Sequence, residues 1–124
     1  MVKKLSLKKV TIHGWQNPEP FLLRSSILMM TSEYEGLPLS ILEAQSNGCV
    51  PIAFDSFASL KDIIKPFESG VVVEKFGDTD DYTKKLKDLM YDSTYREELS
   101  CKASETSYKF SPQIIAEKWL KILI

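Results

Sequence analysis

Four short apolar runs limit what this chain can fold into: VTI at 10–12, SILMM at 26–30, VPIAF at 50–54 and GVVV at 70–73. Each reads as a short strand, and SILMM as a buried one. The segments between them carry helical patterns. The first spans 17–24, with two prolines near its start. The second spans 39–47 and is stopped by Gly48, a usual residue just past a helix end. A shorter one covers about 58–64. Strands alternating with helices predict an α/β fold on a parallel sheet. Beyond the fourth run the pattern is helical to the end. Asp78 caps a helix to about residue 91, and TYRE at 94–97 fits a capping box for another to about 108. Ser111-Pro112 opens a last helix through Trp119.

Composition excludes several classes. The chain has 124 residues, enough for one domain with one modest core. Its 16 basic and 17 acidic side chains leave a formal net charge of -1. No overall field draws nucleic acid, so no nucleic-acid partner is expected. Lys3, Lys4, Lys8 and Lys9 read as a solvated terminal segment, with contact to anionic lipid headgroups the weaker alternative. Cys49 and Cys101 lie far apart, no CxxC pattern exists, and there is one histidine. No zinc site is expected, and a reducing compartment is the simplest setting. No apolar run is long enough to span a membrane, and no signal-peptide core follows the first lysines. The expected location is the cytoplasm.

In an open parallel sheet, ligands bind beyond the carboxyl ends of the strands. Three candidate loops lie there, at 13–17, 31–38 and 55–59. The second belongs to TSEYEGLPLSILEAQSNGCVP at 31–51, which holds Glu35 and Glu43 with seven residues between them. Gly36 has no Cβ and permits close backbone approach to a ligand. Pro38 directs the chain into the helix, whose first amides, on Leu39, Ser40 and Ile41, suit a phosphate. Glu43, one turn further in, can accept hydrogen bonds from the paired hydroxyls of a ribose. Glu35 lies on the far side of the proposed phosphate and can meet a group attached beyond it. The bland alternative is a capping box: Ser40-Ile41-Leu42-Glu43 fits one, with Glu43 serving only its own helix end. Spacing alone favours that second reading.

Ser32, Glu35-Gly36, Pro38, Glu43-Ala44, Gly48 and Pro51 occur here in the order of a known donor-site signature. It resembles that of the retaining GT-B glycosyltransferases of family 4, the group 1 glycosyl transferases. The flanks are similar too: VTIHG at 10–14 resembles the strand before the donor site, GVVV its final strand, and Phe110-Ser111 with Trp119 its closing helix. The resemblance covers nearly the whole chain. It implies a partial Rossmann-like, three-layer parallel sheet, the second half of a GT-B carboxyl-terminal domain. It implies transfer of a sugar from a UDP- or GDP-sugar to a glycan or lipid-linked acceptor, with retention, in cell-surface polysaccharide synthesis. Attack would come from the front face or through a short-lived ion pair, with the leaving phosphate as base. Glu43 would hold the ribose hydroxyls. Glu35, the catalytic candidate, would contact the sugar. Leu39 and Ser40 would give amides to the diphosphate, while Gly36, Leu37 and Pro38 shape the sugar pocket. His13 and Gly14 are candidates to line the pocket. No metal and no other cofactor is implied. Asp80-Asp81 reads as the first turn of a helix.

The chain also departs from the family pattern. Many relatives have Gly-Gly after the fifth strand, where this chain has Asp55-Ser56-Phe57-Ala58-Ser59. Phe57 is read as packed under its own loop, with stacking on a ligand the alternative. Asp55 is a pocket carboxylate or a turn residue, Cys49 a small buried hydrophobe, and Trp119 packing for the last helix. The acceptor domain and the first two strands of the donor domain, with their Gly-Arg and Lys, have no counterpart here. The chain is therefore expected to be inactive alone. The 10–12 strand is expected to pair beside 26–30, or an uncovered sheet edge to invite self-association. In the intact protein, contact with the inner membrane face is a further expectation. Two other readings stay open: a nucleotide-sugar epimerase of the same architecture, and a non-catalytic α/β interaction module.

Overall fold

The computed structural model describes residues 4–124. In chain order the elements are α1 (Glu19–Leu22), β1 (Ile27–Met30), α2 (Leu39–Ser46), β2 (Val50–Phe54) and α3 (Leu60–Ile63), then β3 (Val71–Val73), α4 (Thr79–Tyr91), α5 (Ser93–Tyr108) and α6 (Pro112–Leu123). The strands form one parallel sheet in the order β1-β2-β3. Ile52 of β2 sits between Met29 of β1 and Val71 of β3.

Both faces of β2 are covered, and every one of its residues is buried. Side chains alternate across a strand, so VPIAF feeds two cores. Val50, Ile52 and Phe54 join Val71 and Val73 against Tyr82 and Leu89 of α4 and Leu99 of α5. Ala53 points the other way, among Ile41 of α2, Phe57, and Leu60 and Ile63 of α3. The result is the expected three-layer α/β arrangement. Each such fully buried aliphatic side chain contributes about 1.5–3 kcal/mol.

Gly48 ends α2 as expected. With φ at 71° it takes the left-handed conformation that favours glycine. Its N–H bonds the Gln45 carbonyl at 3.0 Å, and the Cys49 N–H bonds the Ala44 carbonyl at 2.9 Å. This is a Schellman closure. The chain then turns directly into β2, burying Cys49, whose thiol burial pushes up to about 11.

Several expectations need correction. Residues 10–12 form no strand and do not pair beside β1. Val10 and Ile12 are exposed, because three residues without a ladder partner gain too little to hold an extended pairing. SILMM is not fully buried: β1 is the outer strand, and Met29 is 53% exposed. The helix expected over 17–24 is a single turn, α1. Trp119 packs against nothing that buries it. It is 58% exposed, and α6 has no buried residue. Of the basic cluster, Lys4, Lys8 and Lys9 are exposed, and Lys3 lies outside the described residues.

The α5 start also differs. The cap is not Thr94 but Asp92, whose Oδ1 accepts the Tyr95 N–H at 2.9 Å. Asp92 also closes α4, so one residue serves both helix ends. Asp92→Ala is expected to cost about 1 kcal/mol, within the range of lost caps. Thr94→Ala is expected to leave the urea unfolding midpoint within error of the parent, and the pair of midpoints checks both statements.

Candidate functional site

β1 delivers the chain to the 31–38 loop at its carboxyl end. Tyr82 is 5% exposed, and its hydroxyl donates to the Ile52 carbonyl at 3.0 Å and lies 3.4 Å from the Met30 carbonyl. Burial pushes this phenol up to about 12, so it remains a donor. It fixes α4 to the sheet next to the residue from which the loop departs.

In the loop, Glu35, Gly36 and Leu37 are exposed and Pro38 is buried. Pro38 is the N-cap of α2 and offers no side-chain hydrogen bond; the Ile41 N–H bonds its carbonyl at 3.0 Å. Among helices of eight or more residues, α4, α5 and α6 start under Asp78, Asp92 and Ser111 side-chain caps. α2 has no such cap and no acidic residue in its first turn. The amides of Leu39 and Ser40 thus stand at the positive end of the helix without a side chain over them.

Ser40 is inside α2, not at its cap, so the capping-box geometry does not form. Glu43 is exposed on the second turn. Among the described residues, neither Glu43 nor Glu35 has an ion-pair partner. Glu43 borders two grooves. The larger, about 740 Å³, runs between α2 and the α5–α6 corner, with Leu39, Leu42, Tyr108 and Phe110 in its walls. The smaller, about 380 Å³, joins Glu43 and Ser46 to Asn17, Pro18 and Glu19. Only the smaller connects Glu43 with the end of the 13–17 loop. Neither His13 nor Gly14 lines it. The His13 ring packs edge-on against Phe21 at 4.8 Å.

The third loop, 55–59, lies against the second. The Ser56 hydroxyl donates to the Ser32 carbonyl at 2.8 Å, and the Ser59 hydroxyl donates to the Gly36 carbonyl. Phe57 is buried in the α2–α3 core, as expected for packing under its own loop. Asp55 pairs with Lys61 at 3.4 Å. Reading the sequence missed the two serines, although hydroxyls in a loop beside a second loop were a signal. It also missed Gln45, fully buried on α2, whose Nε2 donates to the Ile63 and Ser69 carbonyls at 2.8 and 3.1 Å. This amide ties α2 to the segment between α3 and β3. Among the described residues, no three His, Cys, Asp or Glu side chains converge, and no helix is long and apolar enough to cross a membrane.

A parallel β1-β2-β3 sheet between two helical layers, with loops gathered at the strands' carboxyl ends, defines a half of a Rossmann-like domain. The chain belongs to the glycosyl transferases group 1 family, whose sequence profile matches residues 1–106. It is 33% identical over 99 residues to the amylovoran biosynthesis glycosyltransferase AmsD of Erwinia amylovora, covering 80% of this chain and 27% of the relative. It is 28% identical over 124 residues to the GalNAc-alpha-(1->4)-GalNAc-alpha-(1->3)-diNAcBac-PP-undecaprenol alpha-1,4-N-acetyl-D-galactosaminyltransferase of Campylobacter jejuni, covering 98% of this chain and 34% of that one. Among solved structures, a Staphylococcus aureus TarM mutant in complex with fondaparinux, alpha-GlcNAc-glycerol and UDP superposes with a TM-score of 0.86. That match has 28% identity over 97% of this chain and 25% of the other. The chain thus spans about a quarter to a third of the length of these relatives.

Proposed function

We propose that this chain is the carboxyl half of the donor domain of a retaining glycosyltransferase acting in cell-surface polysaccharide synthesis. The observation that carries the reading is the start of α2, a helix N-terminus without a side-chain cap and with Glu43 one turn inside it. Membership of the group 1 family supports a nucleotide-sugar as the ligand for that geometry. The diphosphate meets the Leu39 and Ser40 amides, and the ribose hydroxyls donate to Glu43 in the smaller groove. The sugar lies under Gly36, Leu37 and Pro38, with Glu35 accepting from its hydroxyls. UDP is the favoured nucleotide, because the TarM mutant complex contains it. In the reaction the bond from the anomeric carbon to the diphosphate oxygen breaks. A bond to the acceptor oxygen forms on the same face, and the acceptor proton passes to the leaving diphosphate. The acceptor is a glycan or a lipid-linked glycan, as the undecaprenol-linked name of the Campylobacter relative suggests. That chemistry belongs in the cytoplasm, at the inner membrane face. The reading requires no metal. The acceptor domain and remaining donor-domain strands come from other parts of the intact protein, and the outer edge of β1 is the seam for those strands.

Calorimetric titration of the chain with UDP, GDP and UDP-sugars, each with and without magnesium, tests the reading. Binding of UDP that magnesium does not change is the expected result. Absence of binding at millimolar UDP would overturn a nucleotide site formed by this chain alone.

A further inference from the structure

We propose that Ser56 and Ser59 are positioning residues that clamp the Glu35 arch in place for the sugar of the donor. The inference rests on the donor-site reading above and assigns a task to a loop that reading leaves unused. Two hydroxyls from 55–59 bond two carbonyls of the facing loop, Ser32 and Gly36. Those carbonyls are four residues apart and flank Glu33, Tyr34 and Glu35. The arch bearing the carboxylate is thus held at both ends, while its own side chains are exposed.

The clamp has a rigid base. Between the two serines, Phe57 is 8% exposed and sits among Ile41, Ala53, Leu60, Ile63 and Ile64. Ile41 belongs to α2, so the same core that seats the clamp seats the helix carrying Glu43. The Ser59 hydroxyl also forgoes its local use. Ser59 is the N-cap residue of α3, a position where serine ordinarily bonds its own helix amides. Here it makes no side-chain cap bond and reaches instead across 23 residues to Gly36. A loop ordered before the ligand arrives loses less freedom on binding. Because the arch holds Glu35 and not Glu43, the benefit falls on the sugar and not on the nucleotide.

The test is a titration of the chain and its Ser56→Ala/Ser59→Ala variant with UDP, UDP-glucose, UDP-galactose and UDP-N-acetylglucosamine, with amide hydrogen exchange alongside. The variant is expected to bind the preferred UDP-sugar about fivefold or more weakly, the size of one ordinary hydrogen bond, with UDP affinity changed less than twofold. Exchange at 33–37 is expected to quicken while α2 amides keep their rates. Ser59→Thr, which retains the hydroxyl, is expected to restore the sugar preference in the single-site comparison with Ser59→Ala. Equal losses for UDP and UDP-sugar would mean general destabilisation and would overturn the proposal, as would no loss at all. A parent chain that binds UDP but gains nothing from any sugar overturns the clamp's role and leaves the nucleotide site standing. A parent chain that binds neither overturns a donor site formed by this chain alone, and the clamp's sugar role on it with it. Unchanged exchange at 33–37 in the variant overturns the clamp itself, whatever binds.

Discussion

Glu43→Ala is expected to lower UDP affinity at least tenfold while leaving the unfolding midpoint of the chain unchanged. Hydrogen bonds to a charged group are worth about 1.5–3 kcal/mol each, and one such bond lost is a factor of ten or more. The stability half of the expectation follows from what the side chain does not do. Glu43 is exposed, caps nothing, and has no ion-pair partner among the described residues. Substitutions at such helical positions usually move stability by no more than about 0.5 kcal/mol. The two halves together separate a ligand contact from a structural glutamate. A variant that loses stability and affinity in proportion would return Glu43 to its helix. Isothermal titration at one temperature and urea unfolding of the same preparation give both numbers.

Gly70→Ala is expected to cost about 3 kcal/mol, at the upper end of overpacking penalties. A Cβ at this position would stand 2.8 Å from the Pro51 carbonyl oxygen, 2.9 Å from the Pro51 Cγ and 3.0 Å from the Ile64 Cγ2. Two of these atoms belong to β2 or its fixed ring, and Pro51 lies in a strand buried throughout. Little can move aside. Against a total stability of about 5–15 kcal/mol for a domain, the loss is large. Gly36→Ala is the internal control, since nothing lies within 4 Å of its added Cβ and its φ is not in the left-handed region. It is expected to leave the urea midpoint within about 0.5 kcal/mol and to weaken binding of a UDP-sugar. A fall in stability with Gly36→Ala would show that this glycine serves the fold and not a ligand.

The layered α/β fold was legible because VPIAF and GVVV are apolar throughout, and only a strand covered on both faces asks for that. The Gly48 stop and the Asp78 cap were legible because each is a local signal. VTIHG misled. Its residues have the right types for a strand, but pairing is a property of neighbours, and none among the described residues takes residues 10–12. Trp119 misled for a similar reason, since an apolar helical face does not say what covers it. At the site, the Glu35–Glu43 spacing was visible in sequence, whereas the choice between a cap and an open helix end was not. That choice depended on Pro38, rather than Ser40, becoming the residue before α2. The serine clamp joins residues 23 and 24 positions apart, which no local pattern announces.

The consecutive order of the strands has a consequence for how this segment acquires its shape. Each strand pairs with the next one made, so each ladder closes over a single helical connection. Low sequence separation of partners favours fast folding. A tie of much longer range is to α5, whose Ser100 hydroxyl donates to the Gly48 carbonyl at 2.6 Å, 52 residues back. Leu99 enters the core beside Val50 in the same return. The turn at the end of α2 is thus closed twice, first by its own amides and again from outside by α5, so loosening α5 is felt at the helix that carries Glu43.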